Sequence, residues 1–180
     1  MAEQEIKVTQ NRIAVIIGRN GKTKRTIEKK TGTSVEINSD EGLITVSSDD
    51  AISVLKCADI IRAINRGFSP QRAFTLLEDE DMMLDIIDLT AYCNTTKQME
   101  RIRGRIIGRE GKSREQIENM TGAIMSVLGK TVAIIGEVEQ VRNTRTAVEM
   151  LIEGLPHESV FSFLDKKNKE SKQNMLEYYY

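Results

Sequence analysis

Apolar and polar positions along the chain fall into a pattern of short and long periods that occurs twice. Residues 4–8 and 85–91 have strand character, the second written Asp-Ile-Ile-Asp-Leu-Thr-Ala. Residues 10–17 and 97–107 then place apolar side chains at helical spacing and stop at a glycine, Gly18 or Gly108. A second helix is predicted over 21–31 and over 111–121, ended by Gly32 and Gly122 in the left-handed C-terminal role. Two hairpins follow, 34–38 with 43–47 and 123–128 with 131–135, turning at 38–42 and at Gly129-Lys130. A long amphipathic helix closes each round. Its apolar face is predicted from Ile52, Leu55, Ile60 and Ile64 over 49–66, and from Val141, Val148 and Leu151 over 137–153. The order is β-α-α-β-β-α, twice.

The repetition is also literal. Ile16-Ile17-Gly18-Arg19-Asn20-Gly21-Lys22 returns as Ile106-Ile107-Gly108-Arg109-Glu110-Gly111-Lys112, Ile27 as Ile117, and Thr31-Gly32 as Thr121-Gly122, at an offset of 90. The closing helices end at Gly67 and Gly154, an offset of 87, so the second copy is three residues shorter, in the turn between its strands. The predicted domains are 1–67 and 83–155, with a structured helical connector over 68–82 and a C-terminal helix and polar tail over 156–180. Ser69-Pro70 supplies an N-cap and an N1 proline for a helix over 70–78. No Gly/Ser-rich linker separates the copies, so they are expected to pack together. Pro156 opens a last helix carrying Val160, Phe161 and Leu164, and the Lys-rich tail from Asp165 is expected to fray. The fold class is α+β, two copies of one small domain.

Composition narrows the chemistry. Aromatics are 4% of the chain with no Trp, and three of the four Tyr are Tyr178, Tyr179 and Tyr180, so an aromatic-studded sheet for stacking bases is excluded. Cys57 and Cys93 are solitary, with no His/Cys cluster, so neither a disulfide framework nor a zinc site is indicated. His157 is the only histidine and reads as a polar residue at a helix end. No metal and no cofactor is implied. No apolar run approaches the ~20 residues of a membrane span, and a cytoplasmic protein without membrane contacts is expected. The net charge of −1 argues against binding nucleic acid by bulk charge, but it conceals opposed patches. Residues 12–30 hold seven basic and one acidic residue, 97–114 seven and two, and 77–90 six acidic residues and no basic one.

The chemistry lies in the two Gly-x-x-Gly loops. Two glycines three apart between helices leave no Cβ to block the backbone, so a phosphodiester can approach the main chain. The helix that begins at the second glycine offers free N–H groups and a positive dipole end. The candidate RNA-binding residues are Gly18, Arg19, Asn20, Gly21, Lys22, Lys24 and Arg25 in the first copy. In the second they are Arg103, Arg105, Ile107, Gly108, Arg109, Glu110, Gly111, Lys112 and Arg114. Arg101 and Arg105 share a helix face at i, i+4, extending the second basic run along a backbone. Ile16, Ile17, Ile27, Val35 and Ile37, with Ile106, Ile107, Ile117, Ile124 and Val127, are candidates for a groove floor and for core. Gly21-Lys22-Thr23 and Gly111-Lys112-Ser113 imitate the end of a P-loop, but the required upstream glycine is Ile16 in one copy and Ile106 in the other.

The motif Ile-Ile-Gly-x-x-Gly-Lys-x(5)-Ile-x(3)-Thr-Gly on this element order, present twice, resembles the type I KH domain, which clamps about four nucleotides of RNA or single-stranded DNA. The stretches NRGFSPQRAFTLLEDED, ERIRGRIIGREGK, GKTVAIIGEVEQV and MLIEGLPHESVFSFL are similar to the archaeal two-KH proteins of the partner-of-Nob family, over nearly the whole chain. That resemblance implies a non-catalytic small-subunit ribosome assembly factor. It implies binding to pre-rRNA near the 3′ end of small-subunit rRNA, positioning RNA for the Nob-type endonuclease, with other assembly or translation factors as further partners. In eukaryotic relatives the first unit tends to lose its loop; here Gly18-Arg19-Asn20-Gly21 is intact. The second unit is taken as the primary RNA site, its preceding basic run being denser. The alternative is a KH protein of mRNA or tRNA processing or RNA decay. A metal-dependent hydrolase built on Glu78, Asp79, Glu80, Asp81, Asp85 and Asp88 is the enzymatic rival, and a solvated linker or basic-partner patch is preferred to it.

Overall fold

A computed structural model describes residues 1–180, and the chain divides into two compact units, Met1–Leu84 and Asp85–Tyr180. In the first, strand β1 (Ala2–Lys7) leads into helix α1 (Gln10–Ile17), the Gly18–Gly21 loop, and helix α2 (Lys22–Thr31). Strands β2 (Ser34–Asn38) and β3 (Leu43–Ser48) form the hairpin, and helix α3 (Ala51–Asn65) closes the round. The sheet order is β1-β3-β2, all antiparallel, with Val35 opposite Val46 and Ile6 opposite Ile44. Alternation explains the layering: Ile44 and Val46 of β3 are buried while Leu43, Thr45 and Ser47, which alternate with them, are half-exposed.

The second unit repeats the order with β4 (Met83–Asp88), α5 (Thr96–Ile107), α6 (Lys112–Thr121), β5 (Ile124–Leu128), β6 (Thr131–Gly136) and α7 (Val138–Ile152). Its sheet order is β4-β6-β5. Thr95 caps α5 by accepting from Gln98 N–H, and Glu137 and Gln140 form a reciprocal capping box on α7.

Two expectations need correction. The closing helix α3 does not bury Ile52 and Leu55, which are 69% and 57% exposed; its core face is Val54, Cys57, Ala58, Ile61 and Ile64, with Ile60 buried as well. The stretch 68–82 forms two short helical turns. Ser69 caps a single turn, α4 (Pro70–Ala73), a 3-10 turn follows, and both pack on α3 with Phe68, Ala73 and Leu76 buried. The tail does not fray at Asp165: α8 (His157–Tyr179) runs on through it. Val160 and Leu164 anchor α8, which packs on α6 and α7. Beyond Leu164 local pairs sustain the helix, Lys169 with Asp165 at 3.1 Å, Lys167 with Glu170 at 3.5 Å, and Lys167 over the Phe163 ring.

Each unit ties its first helix to the end of its closing helix with an arginine. Arg12 donates from Nε to Ile64 O (2.8 Å) and from Nη2 to Phe68 O (3.1 Å). Arg105 donates from Nε to Leu151 O (3.2 Å) and from Nη2 to Leu155 O. The acceptors correspond at the 87-residue offset, yet the arginines do not. At the 90-residue offset of the first helices, Arg12 matches Ile102 and Arg105 matches Val15, so the donors stand one helical turn apart. In each unit the guanidinium joins one carbonyl in the last turn of the closing helix, which also accepts from Gly67 N–H or Gly154 N–H, to one carbonyl just beyond that helix.

Candidate nucleic-acid interface

The two loops have the same backbone. Gly18 lies at φ 73, ψ 178 and Gly108 at φ 74, ψ 176; Asn20 and Glu110 both lie at φ 55; Gly21 and Gly111 lie at φ 74 and φ 75. Each loop is closed by one bond from the second glycine's N–H to the first glycine's carbonyl, 3.3 Å in both copies. The conformation of the first glycine belongs to a region populated essentially by glycine alone. Space forbids a side chain there as well. A Cβ on Gly18 would overlap Thr23 Oγ1 and stand 2.6 Å from Thr23 Cβ; one on Gly108 would stand 2.6 Å from Ser113 Cβ and 2.8 Å from Ser113 N.

The second glycines differ. A Cβ on Gly21 would meet only the Arg25 guanidinium at 3.1 Å, and one on Gly111 only Arg114 Nη2 at 3.9 Å. The fold needs these residues left-handed, but it leaves the space above them open to a ligand, with an arginine already beside it. Neither α2 nor α6 has a side-chain cap at its N-terminus; the Lys22 and Lys112 N–H groups bond back to Arg19 O and Arg109 O, and the positive end of each helix dipole lies at the loop. Arg19, Asn20, Lys22, Arg109, Glu110 and Lys112 are all exposed on the rim.

Other candidates are placed elsewhere or are engaged. Arg105 is turned to the carbonyls of Leu151 and Leu155 and does not extend the loop's basic rim; its own carbonyl contacts His157 Nε2 at 2.8 Å. Arg101 is therefore exposed without Arg105 as a second contact on its face, and Arg103 is half-buried with its Nε enclosed. Arg114 pairs with Glu118, and Lys24 with Glu28 at 3.6 Å. Of the proposed groove floor, Ile16, Ile27, Val35, Ile106 and Ile117 are core, while Ile17, Ile37, Ile107, Ile124 and Val127 keep half-exposed surface. The acidic stretch is not uncompensated: Asp85 accepts from Arg145 at 2.6 Å, and that pairing raises the Arg145 pKa. Asp88 accepts from Thr90 N–H at 2.9 Å. Arg12 was invisible to the sequence reading as a fixture of the site's supporting helix, because its acceptors lie 52 and 56 residues away; burial lowers its guanidinium pKa.

Two three-stranded α+β units, each presenting a Gly-x-x-Gly loop at the start of an uncapped helix, define a protein of tandem type I KH domains. Family models agree: one described as a eukaryotic type KH-domain, KH-domain type I, matches residues 83–169, and one described as a KH domain matches residues 3–63. A KH domain-containing protein of Methanocaldococcus jannaschii is 42% identical over 96% of this chain and 77% of its own length. Dim2p of Pyrococcus horikoshii, solved in a complex with a/eIF2alpha and rRNA, superposes with a TM-score of 0.88 at 46% identity, over 94% of this chain and 95% of that one. The pre-rRNA-processing protein PNO1 of Candida albicans is 30% identical over 64% of this chain. The chain spans under half of that relative's length, 42%. The chain belongs to the partner-of-Nob family of KH proteins, the family of PNO1 and Dim2p.

Proposed function

We propose that this protein binds small-subunit rRNA, through the second Gly-x-x-Gly loop first and the first loop in addition, as a non-catalytic ribosome assembly factor. The observation that carries this reading is the open space above Gly111 and Gly21, beside left-handed backbone, a helix start without a side-chain cap, and an arginine (Arg114 or Arg25). A phosphodiester fits there, and nothing in the fold requires the opening. The half-exposed Ile107 and Val127 offer unstacked bases an apolar surface, whereas Ile124 lies on the opposite face of β5. In the finer reading, the bound segment lies near the 3′ end of the rRNA, and the protein holds it for the Nob-type endonuclease. The family membership and the rRNA complex of the Pyrococcus relative support that assignment. The connector extends the first unit and the start of the last helix, through Val160 and Leu164, extends the second.

The test leaves the glycines alone. Arg109→Glu with Lys112→Glu reverses two exposed charges without touching loop geometry. Losing two phosphate contacts should reduce affinity for a 3′-terminal small-subunit rRNA oligonucleotide and flatten its salt dependence by roughly 1.4–1.8 in log–log slope. Unchanged affinity in the folded variant overturns the assignment to the second loop. Sequencing RNA crosslinked in cells tests the finer reading: a peak at the rRNA 3′ end supports it, and scattered mRNA or tRNA refutes it.

A further inference from the structure

Ser113 stands in the first turn of α6, directly under Gly108, and its first-unit counterpart is Thr23 under Gly18. Ser113 is 6% exposed and its Oγ is buried without a hydrogen-bond partner. Buried hydroxyls in folded proteins are nearly always paired, so an unpaired one next to a ligand loop demands a reason.

The two copies supply one. At Thr23 the hydroxyl faces the loop, since Oγ1 is the nearest atom to the position of a Gly18 Cβ. At Ser113 the nearest atoms to the Gly108 position are Cβ, N and Cα, and the hydroxyl is turned away behind them. The loop backbones agree within a few degrees at every glycine, so one backbone accepts both side-chain orientations. A single rotation about χ1, fast for a serine, would carry the Ser113 hydroxyl from its enclosed position to the one Thr23 occupies.

Resting on the RNA reading of the second loop, we infer that Ser113 is a reserve ligand of that loop: its hydroxyl is unpaired in the free protein and turns to donate to an RNA phosphate oxygen, or to the loop carbonyl that the phosphate displaces. The group is then poorly satisfied without RNA and well satisfied with it, a difference that favours the bound state. Thr23 is half-exposed, so its hydroxyl is not shut away in the free protein as the Ser113 hydroxyl is, and it has less to gain. The hydroxyl thus makes the second loop the more selective for an anion although the two backbones are alike.

The experiment uses the full chain, a fluorescently labelled 3′-terminal small-subunit rRNA oligonucleotide, and thermal unfolding. Ser113→Ala removes the unpaired hydroxyl, so Tm should rise or hold. Affinity should fall roughly three- to tenfold, the worth of one hydrogen bond to a charged or polar acceptor. The salt slope should stay that of the parent, because no charge is lost. Ser113→Thr should bind like the parent. Two results overturn the inference: Ser113→Ala binding within twofold of the parent, or Ser113→Ala losing Tm together with affinity, which would make the hydroxyl a structural prop of the loop. The Arg109→Glu, Lys112→Glu protein separates the failures. If it binds RNA poorly while Ser113→Ala binds normally, only the reserve-ligand role falls. If it too binds normally, the loop's RNA role falls with it.

Discussion

The two glycines of one loop should respond to the same substitution by very different amounts. In Gly108→Ala the new methyl would sit 2.6 Å from Ser113 Cβ and 2.8 Å from Ser113 N, and the second of these is backbone of the first turn of α6. It cannot move aside without opening that turn. The residue would also be held at φ 74, ψ 176, where strain alone is about 1–3 kcal/mol. With overlap added, roughly 3 kcal/mol or more of unit stability should be lost. In Gly111→Ala the methyl meets only the flexible end of Arg114 at 3.9 Å. The loss there is the left-handed penalty of about 1–2 kcal/mol. For a unit of 60–100 residues each kcal/mol shifts Tm by about 4–8 °C, so Gly108→Ala should fall by more than ~10 °C and Gly111→Ala by about half that. Thermal and urea unfolding followed by circular dichroism measure both. RNA titration of the folded Gly111→Ala protein adds the functional arm, where weakened binding is expected because the methyl enters the open space. Equal destabilisation of the two variants, or Gly108→Ala the milder, would refute the division of labour between the glycines. The same reasoning rules out acidic substitution of Gly108 as a clean RNA-binding knockout.

Arg12→Ala and Arg105→Ala should each cost about 2 kcal/mol in urea unfolding, since each removes two charge-assisted bonds to carbonyls at and just beyond the end of the closing helix, whereas exposed Arg101→Ala should stay within ~0.5 kcal/mol; equal effects at all three would deny that the arginines tie the helices together. Cys57 is fully enclosed and burial raises its thiol pKa, so it stays protonated at neutral pH and inert to maleimide until the first unit unfolds. Cys93, only half-buried, should be alkylated in the native protein, and peptide mass spectrometry reads both sites. Leu164→Ala should lose about 2–5 kcal/mol from the second unit, while deletion of 166–180, which carries no buried side chain, should leave its Tm nearly unchanged.

Much of the architecture was legible because its punctuation is local. Gly18, Gly32, Gly108 and Gly122 mark helix ends through backbone conformations that other residues resist, and strand alternation around Ile44 and Val46 shows the buried face directly. The loop's position on the chain was equally legible. The face of α3 was not, because apolar residues surround that helix. The polar row Lys56, Asp59 and Arg62 held the answer: one turn back it points to Ile52 and Leu55, on the solvent side. Arg105 misled for a different reason. Charge spacing along a helix shows which side chains share a face, and says nothing of carbonyls 46 and 50 residues downstream that claim one of them. The persistence of α8 past Asp165 depends on several weak neighbouring pairs, which a bare polar composition does not reveal.

The displaced arginines bear on how the two units could be exchanged. Each unit sets a guanidinium over a corresponding pair of carbonyls, and the two units supply it from rungs one turn apart on the incoming helix. A residue-by-residue harmonisation of the copies would fail, since Arg105→Val removes the donor unless Ile102→Arg supplies one a turn earlier. Transplanting residues 10–21 as a block into positions 100–111 carries Arg12 along and keeps the carbonyls covered. The duplicated units correspond as cassettes of helix and loop, and not as columns of an alignment.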